Sequence, residues 1–155
     1  MKILRALFFV TAVLTVTVCW AGVLENVSTI QVDPTVVTNP DAIKDPAAPN
    51  LVRFTLRAAV REAHFAEGNS PIRAHIVLNE FSNAGKAKRI LNFDTGRTDN
   101  VVDGKLVFQD ASGKELASRV IHFRGNVAFS SADAPRRQAV SDFEQVLIDE
   151  IRGLK

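Results

Sequence analysis

Val101-Val102-Asp103-Gly104-Lys105-Leu106-Val107-Phe108 and Glu115-Leu116-Ala117-Ser118-Arg119-Val120-Ile121-His122-Phe123 decide the fold. Both runs are rich in β-branched and aromatic residues, which suit a pleated, half-buried surface. Between them stands Gln109-Asp110-Ala111-Ser112-Gly113-Lys114. Asp and Ser there bond their own backbone and Gly accepts a left-handed conformation, so the two runs read as strands of one hairpin. Val127 to Phe129 is a further candidate for the sheet, and Gly104 and Gly113 are accounted for by bulge and turn.

Upstream, Ile72 to Phe81 alternates Ile72, Ala74, Ile76 and Leu78 with Arg73, His75 and Asn79, the period of a half-buried strand. Arg89 to Phe93 offers another short strand, and Lys86-Ala87-Lys88-Arg89 reads as a solvated basic loop. Leu51 to Glu67 places Val52, Leu56, Ala59, Val60 and Ala63 on one helical stripe and Arg53, Arg57 and Arg61 on another. This predicts an amphipathic helix stopped by Gly68-Asn69. Val27 to Val32 is β-branched and alternating, a strand. Residues 33 to 50 carry Pro34, Pro40, Pro46 and Pro49 and read as an extended connector. Downstream, Pro135 opens a final helix, where its missing N–H costs nothing. Val140, Phe143, Leu147, Ile151 and Leu154 mark its buried face.

The expected order is therefore β-α-β-β-β-α. Strand–helix–strand at the start implies parallel pairing of those two strands, and the hairpin adds antiparallel partners. The fold class is α/β in the α+β sense: a two-layer domain with a mixed sheet of four to five strands and two helices on one face. Phe54, Phe65, Phe81, Phe93, Phe108, Phe123 and Phe143 are expected to fill the sheet–helix interface.

The 155-residue chain begins with Lys2 and Arg5, then an apolar run from Leu7 to Trp20, and closes on Cys19-Trp20-Ala21. Charge, short apolar core and small-residue exit describe a signal peptide over residues 1–21, leaving one domain over 22–155. The core is shorter than the ~20 apolar residues that span a bilayer. A retained signal anchor is one alternative. Lipidation of Cys19 is another, although Val18, bulky and β-branched, stands where a lipoprotein signal has a small residue. Without Lys2 and Arg5, 17 basic residues face 17 acidic ones. A formally neutral domain lacks the cation excess that nucleic-acid binding needs. Cys19 is the one cysteine, so cleavage after Ala21 leaves neither a disulfide framework nor a thiolate nucleophile.

Asp94-Thr95-Gly96 is the triplet of aspartic proteases, in which two such aspartates share a proton. One triplet would require a symmetric dimer, but bulky Arg97 follows it and no apolar–apolar–Gly triplet braces the loop, so a surface turn is the simpler reading. His64, His75 and His122 lack the close spacing of a metal site, although His75 and His122 have the placement to face each other across the sheet. An enzyme using His75, His122 and Asp110 is a rival reading. No Gly-x-Ser-x-Gly elbow, Gly-x-Gly-x-x-Gly loop or Walker loop occurs. No catalytic, cofactor-binding or metal residue is therefore assigned, and no cofactor is expected. Asn26-Val27-Ser28 matches a glycosylation sequon, a three-residue pattern that arises by chance. Tyr is absent and the only Trp is Trp20, which argues against a carbohydrate-binding surface.

Arg89-Ile90-Leu91-Asn92-Phe93, Val102 to Ala117 and Val120 to Gly125 resemble a family of small bacterial envelope proteins, domain of unknown function 4410. That family has an Arg ahead of a Gly-rich turn, a strand ending in Asp-x-x-x-Gly-Lys-x-Leu and a returning strand. Val32-Asp33-Pro34 is similar to its opening. The resemblance covers most of Val27 to Leu154 and rests on turn and strand signatures. This chain departs from it at Val18-Cys19 and at Asp94-Thr95-Gly96-Arg97, where the family turn is richer in glycine. Members are commonly lipoproteins whose fold resembles the α/β domain at the start of TolB or in the curli-secretion lipoprotein, and the family brings no enzyme activity. Export, neutral charge, the lack of a convergent catalytic set and the resemblance together point to a periplasmic or outer-membrane-associated protein that binds or scaffolds another envelope protein through its exposed strand edges, and a structural subunit of a homo-oligomer is a third reading. Its membrane contact would be limited to a lipid on Cys19. The alternative is the dimeric hydrolase using Asp94.

Overall fold

The computed structural model describes residues 22–82, 99–126 and 134–155. The expected leader with Cys19, the basic cluster at Lys86, the strand expected for Arg89 to Phe93, Asp94-Thr95-Gly96 and the strand expected for Val127 to Phe129 lie outside the described residues.

The hairpin forms as read. Strand β5 (Asp99–Gln109) pairs antiparallel with β6 (Glu115–Asn126), each somewhat longer than its apolar run. In the turn, the Asp110 carboxylate accepts from the Ser112 N–H at 2.8 Å and the Lys114 N–H at 3.1 Å. Gly113 takes a φ of 86°. β4 (Arg73–Ser82) pairs antiparallel with the other edge of β5. β1 (Thr29–Val32) pairs parallel with β4, as the strand–helix–strand order requires.

Two short strands were not legible. The proline-rich stretch is no free connector: β2 (Val36–Val37) continues along the same edge of β4, and Ile43 bridges to Phe81 beyond a 3-10 turn at Pro40–Ala42. β3 (Ala66–Glu67) lies parallel to β1. The result is a mixed six-stranded sheet ordered β3-β1-β4-β5-β6, with β2 beside β4.

Helix α1 runs Ala48–Glu62, beginning earlier and ending earlier than expected. Asp45 receives the Ala47 N–H at 2.9 Å ahead of the first turn. The stop is not Gly68. The Phe65 N–H reaches back to the Val60 carbonyl at 3.1 Å and the His64 N–H to Arg61 at 3.0 Å. His64 stands in the left-handed region at φ 67°. This is the Schellman ending, with Phe65 and Val60 both buried beneath it. Helix α2 runs Ala134–Arg152.

Both helices cover one face of the sheet and pack on each other. The core holds Val52, Leu56, Ala59 and Val60 of α1, Leu147, Ile148 and Ile151 of α2, and Ile30, Ile76, Leu78, Leu106, Phe108 and Ile121 of the sheet. Phe123 and Phe143 meet between β6 and α2 with ring centroids 5.4 Å apart. Phe54 departs from the expectation. It is 62% exposed, because its position on α1 falls outside the arc that faces the sheet. Phe93 lies outside the described residues.

Candidate functional site

With both helices on one side, none of the described helices covers the other face of the sheet, and strand alternation dictates what it displays. Register aligns Val36, Val77, Lys105 and Val120 in one row across β2, β4, β5 and β6. The next row holds His75, Val107 and Ser118, and further along Asp103 stands opposite His122. Val120 is 80% exposed, the largest apolar exposure among the described residues, while its neighbour Val107 is only 6% exposed.

Around Val107 the face is polar and internally paired. At one side Asp33 takes the Arg73 guanidinium at 2.8 Å and the Gln31 amide at 3.0 Å. At the other, the Lys105 ammonium lies 3.1 Å from the Glu115 carboxylate. The Ser118 hydroxyl and then Lys105 hold the Glu115 carboxyl below its ordinary pKa. Burial lowers the pKa of His75, and the nearby Asp33 carboxylate opposes that shift. His122 Nδ1 lies against the Asp103 carboxylate. Arg124 Nε donates to His122 Nε2 at 3.3 Å.

β6 is the end of the sheet, and among the described residues no strand pairs with its outer edge. Its open-face residues are Glu115, Ser118, Val120, His122 and Arg124, because Leu116 is a bulge that brings Glu115 onto the face with Ser118.

The catalytic candidates do not converge. His75 and His122 share the open face but not a row: β5 lies between them, and strand geometry puts them on the order of 15 Å apart. The expectation that they face each other is therefore corrected. Asp110 is held within its exposed turn, where the Ser112 hydroxyl lowers its pKa first and the Lys114 N–H second. His64 caps a helix. Asp94 and Cys19 lie outside the described residues. No group of three or more His, Cys, Asp or Glu that would hold a metal occurs among the described residues. None of the described helices is long and apolar enough to cross a membrane. A shallow depression lined by Asn26 to Thr29 and Asn69 to Ile72 carries no charged side chain.

Residue-type reasoning overlooked the open face because it sought catalytic groups. The signal was present in the alternation of β6, which places Ser118, Val120, His122 and Arg124 together.

No family model matches the chain, including any for domain of unknown function 4410, and no curated protein matches it. Solved structures do. The PelC dodecamer of Paraburkholderia phytofirmans is similar with a TM-score of 0.54 at 14% identity, over 79% of this chain and 87% of that one. An uncharacterised protein is similar at 0.57 and 12% identity, over 82% and 92%. A Xanthomonas campestris protein of the DUF330 family is similar at 0.55 and 11% identity, over 86% and 85%. At such identities the likeness is one of fold, and the chain shares the α+β fold of these proteins.

Proposed function

We propose that this chain is an exported, non-catalytic module of the bacterial envelope, which acts by holding a protein against the uncovered face and free edge of its sheet. The observation that carries the reading is the one-sided architecture. Two helices cover one face, and the other ends in a twelve-residue edge strand with Val120 in solvent. An open edge offers a row of backbone donors and acceptors, the basis of strand addition. The charged leader over Met1 to Ala21 supports export. The PelC protein of like fold is a dodecamer, which supports assembly through protein contacts.

The test is fractionation followed by site-specific photo-crosslinking from two positions, His122 on the open face and Arg61 on the helical layer. The expected result is an envelope location, a mature chain lacking residues 1–21, and a protein adduct from His122 but not from Arg61. A cytosolic protein retaining its leader, or the absence of an adduct from His122, refutes the reading.

A further inference from the structure

We infer that the occupant of the β6 edge is a second copy of this chain, paired antiparallel about a two-fold axis through Val120. The inference rests on the reading above and names the partner of that edge.

The argument comes from the order of side chains along β6. A two-fold pairing of a strand with itself sets residues on the same face opposite one another, equally spaced from the axis. Centred on Val120, the exposed valines of both copies meet. Ser118 of each copy then faces His122 of the other. The Leu116 bulge places Glu115 on this face, beside the position opposite Arg124, so each end of the contact joins an acid to a base. On the covered face Ala117 stands opposite Phe123 and Arg119 opposite Ile121. No like charges oppose one another, although like pairs directly across a ladder are destabilising.

Among the described residues β6 carries little of the usual protection of an edge. It contains no Pro and no Lys, and its bulge lies at its start, leaving Ala117–Asn126 as a regular run. The one charge that points toward the helices, Arg119, is taken up by Glu150 of α2 at 3.5 Å. Val120 is the single large apolar side chain of the strand that the fold leaves in solvent.

The experiment uses the full-length protein exported in cells, with the unaltered protein, whose one cysteine is Cys19, run alongside. Paired residues across an antiparallel ladder have Cα atoms about 4.5–5.5 Å apart, within the reach of a disulfide. Val120→Cys is therefore expected to give a covalent species of twice the protomer mass under oxidising conditions. In sedimentation the unaltered protein is expected to run as a dimer or a multiple of it, Val120→Arg as the protomer alone. Arg124→Glu is expected to weaken the dimer, and adding Glu115→Arg to restore it. If the introduced thiol captures a different protein, the second-copy inference is overturned while the edge remains a protein-binding site. If it captures nothing and the protein sediments as a protomer, both the inference and the reading beneath it fail. A dimer indifferent to Val120→Arg and to the charge exchange overturns the inference.

Discussion

Gly104 of β5 lies opposite Leu78 of β4, so close that a Cβ on Gly104 would overlap the carbonyl oxygen of Val77. The contact falls where the register shifts between Leu78 and Glu80, so the glycine lets the two backbones approach at the bulge. The obstructing atom is backbone, which cannot rotate away. Gly104→Ala should destabilise the domain by about 1–3 kcal/mol, the range for forced overpacking. Urea unfolding followed by circular dichroism would measure it, and an unchanged midpoint would show that β4 and β5 separate freely there.

His64 ends α1 from the left-handed region, which costs an L-residue energy that glycine does not pay. Its side chain is exposed, so exchanging it removes no core contact. Glycine adopts that conformation without strain but gains freedom in the unfolded chain, which offsets part of the benefit. His64→Gly should raise stability by about 0.5–1 kcal/mol, read as a higher thermal midpoint.

How far the sequence carried the fold can be judged from Phe54 and Phe108. Both are phenylalanines expected at the sheet–helix interface, yet Phe108 is fully buried and Phe54 is 62% exposed. Period-2 alternation and the turn chemistry around Asp110 are local, so β4, β5, β6 and the pairing of β1 with β4 were legible. β2 and β3 are two residues each and exist because β4 and β1 offer them free edges, a tertiary cause without a local signature. The end of α1 was misplaced because Gly68 advertised a stop while His64 accepted the strained position. The open face escaped notice because its residues are ordinary singly and acquire meaning only through register. A direct consequence is that Phe54→Ser should change stability by no more than about 0.5 kcal/mol, as exposed substitutions do. Phe108→Ala should cost about 3–5 kcal/mol. Comparable losses at both sites would contradict the placement of α1.

His75 gives the open face a pH dependence of defined sign. Burial lowers its pKa below the 6.5 of a free histidine, against the opposing pull of Asp33. The unfolded chain then binds a proton more readily than the folded one. The stabilising contribution is complete above the unfolded pKa and is lost as pH falls from there toward the folded value. His75→Gln should therefore flatten the decline in stability between about pH 7 and pH 5. Denaturation midpoints across that interval test it, and a slope identical in both proteins would refute the assignment.

The two ends of the described domain are fastened together. The Leu24 N–H donates to the Leu154 carbonyl at 2.9 Å, and both side chains are fully buried. Just beyond, Lys155 places its ammonium 4.5 Å from the centre of the Phe65 ring and 3.3 Å from the Ala63 carbonyl, while Arg152 reaches the Glu62 carbonyl at 3.1 Å. These cations meet the carbonyl end of α1, where the helix dipole favours positive charge. Leu154 and Lys155 thus close the core beneath α1. Leu154→Ala should cost about 2–5 kcal/mol through lost burial and the cavity left behind. Lys155→Ala, which removes a partly solvated cation from a ring face, should cost about 0.5–1 kcal/mol. Hydrogen exchange should show the Leu24 amide losing protection in Leu154→Ala while the β5–β6 amides keep theirs. Protection retained at Leu24 would mean that the amino-terminal turn is held by contacts other than Leu154.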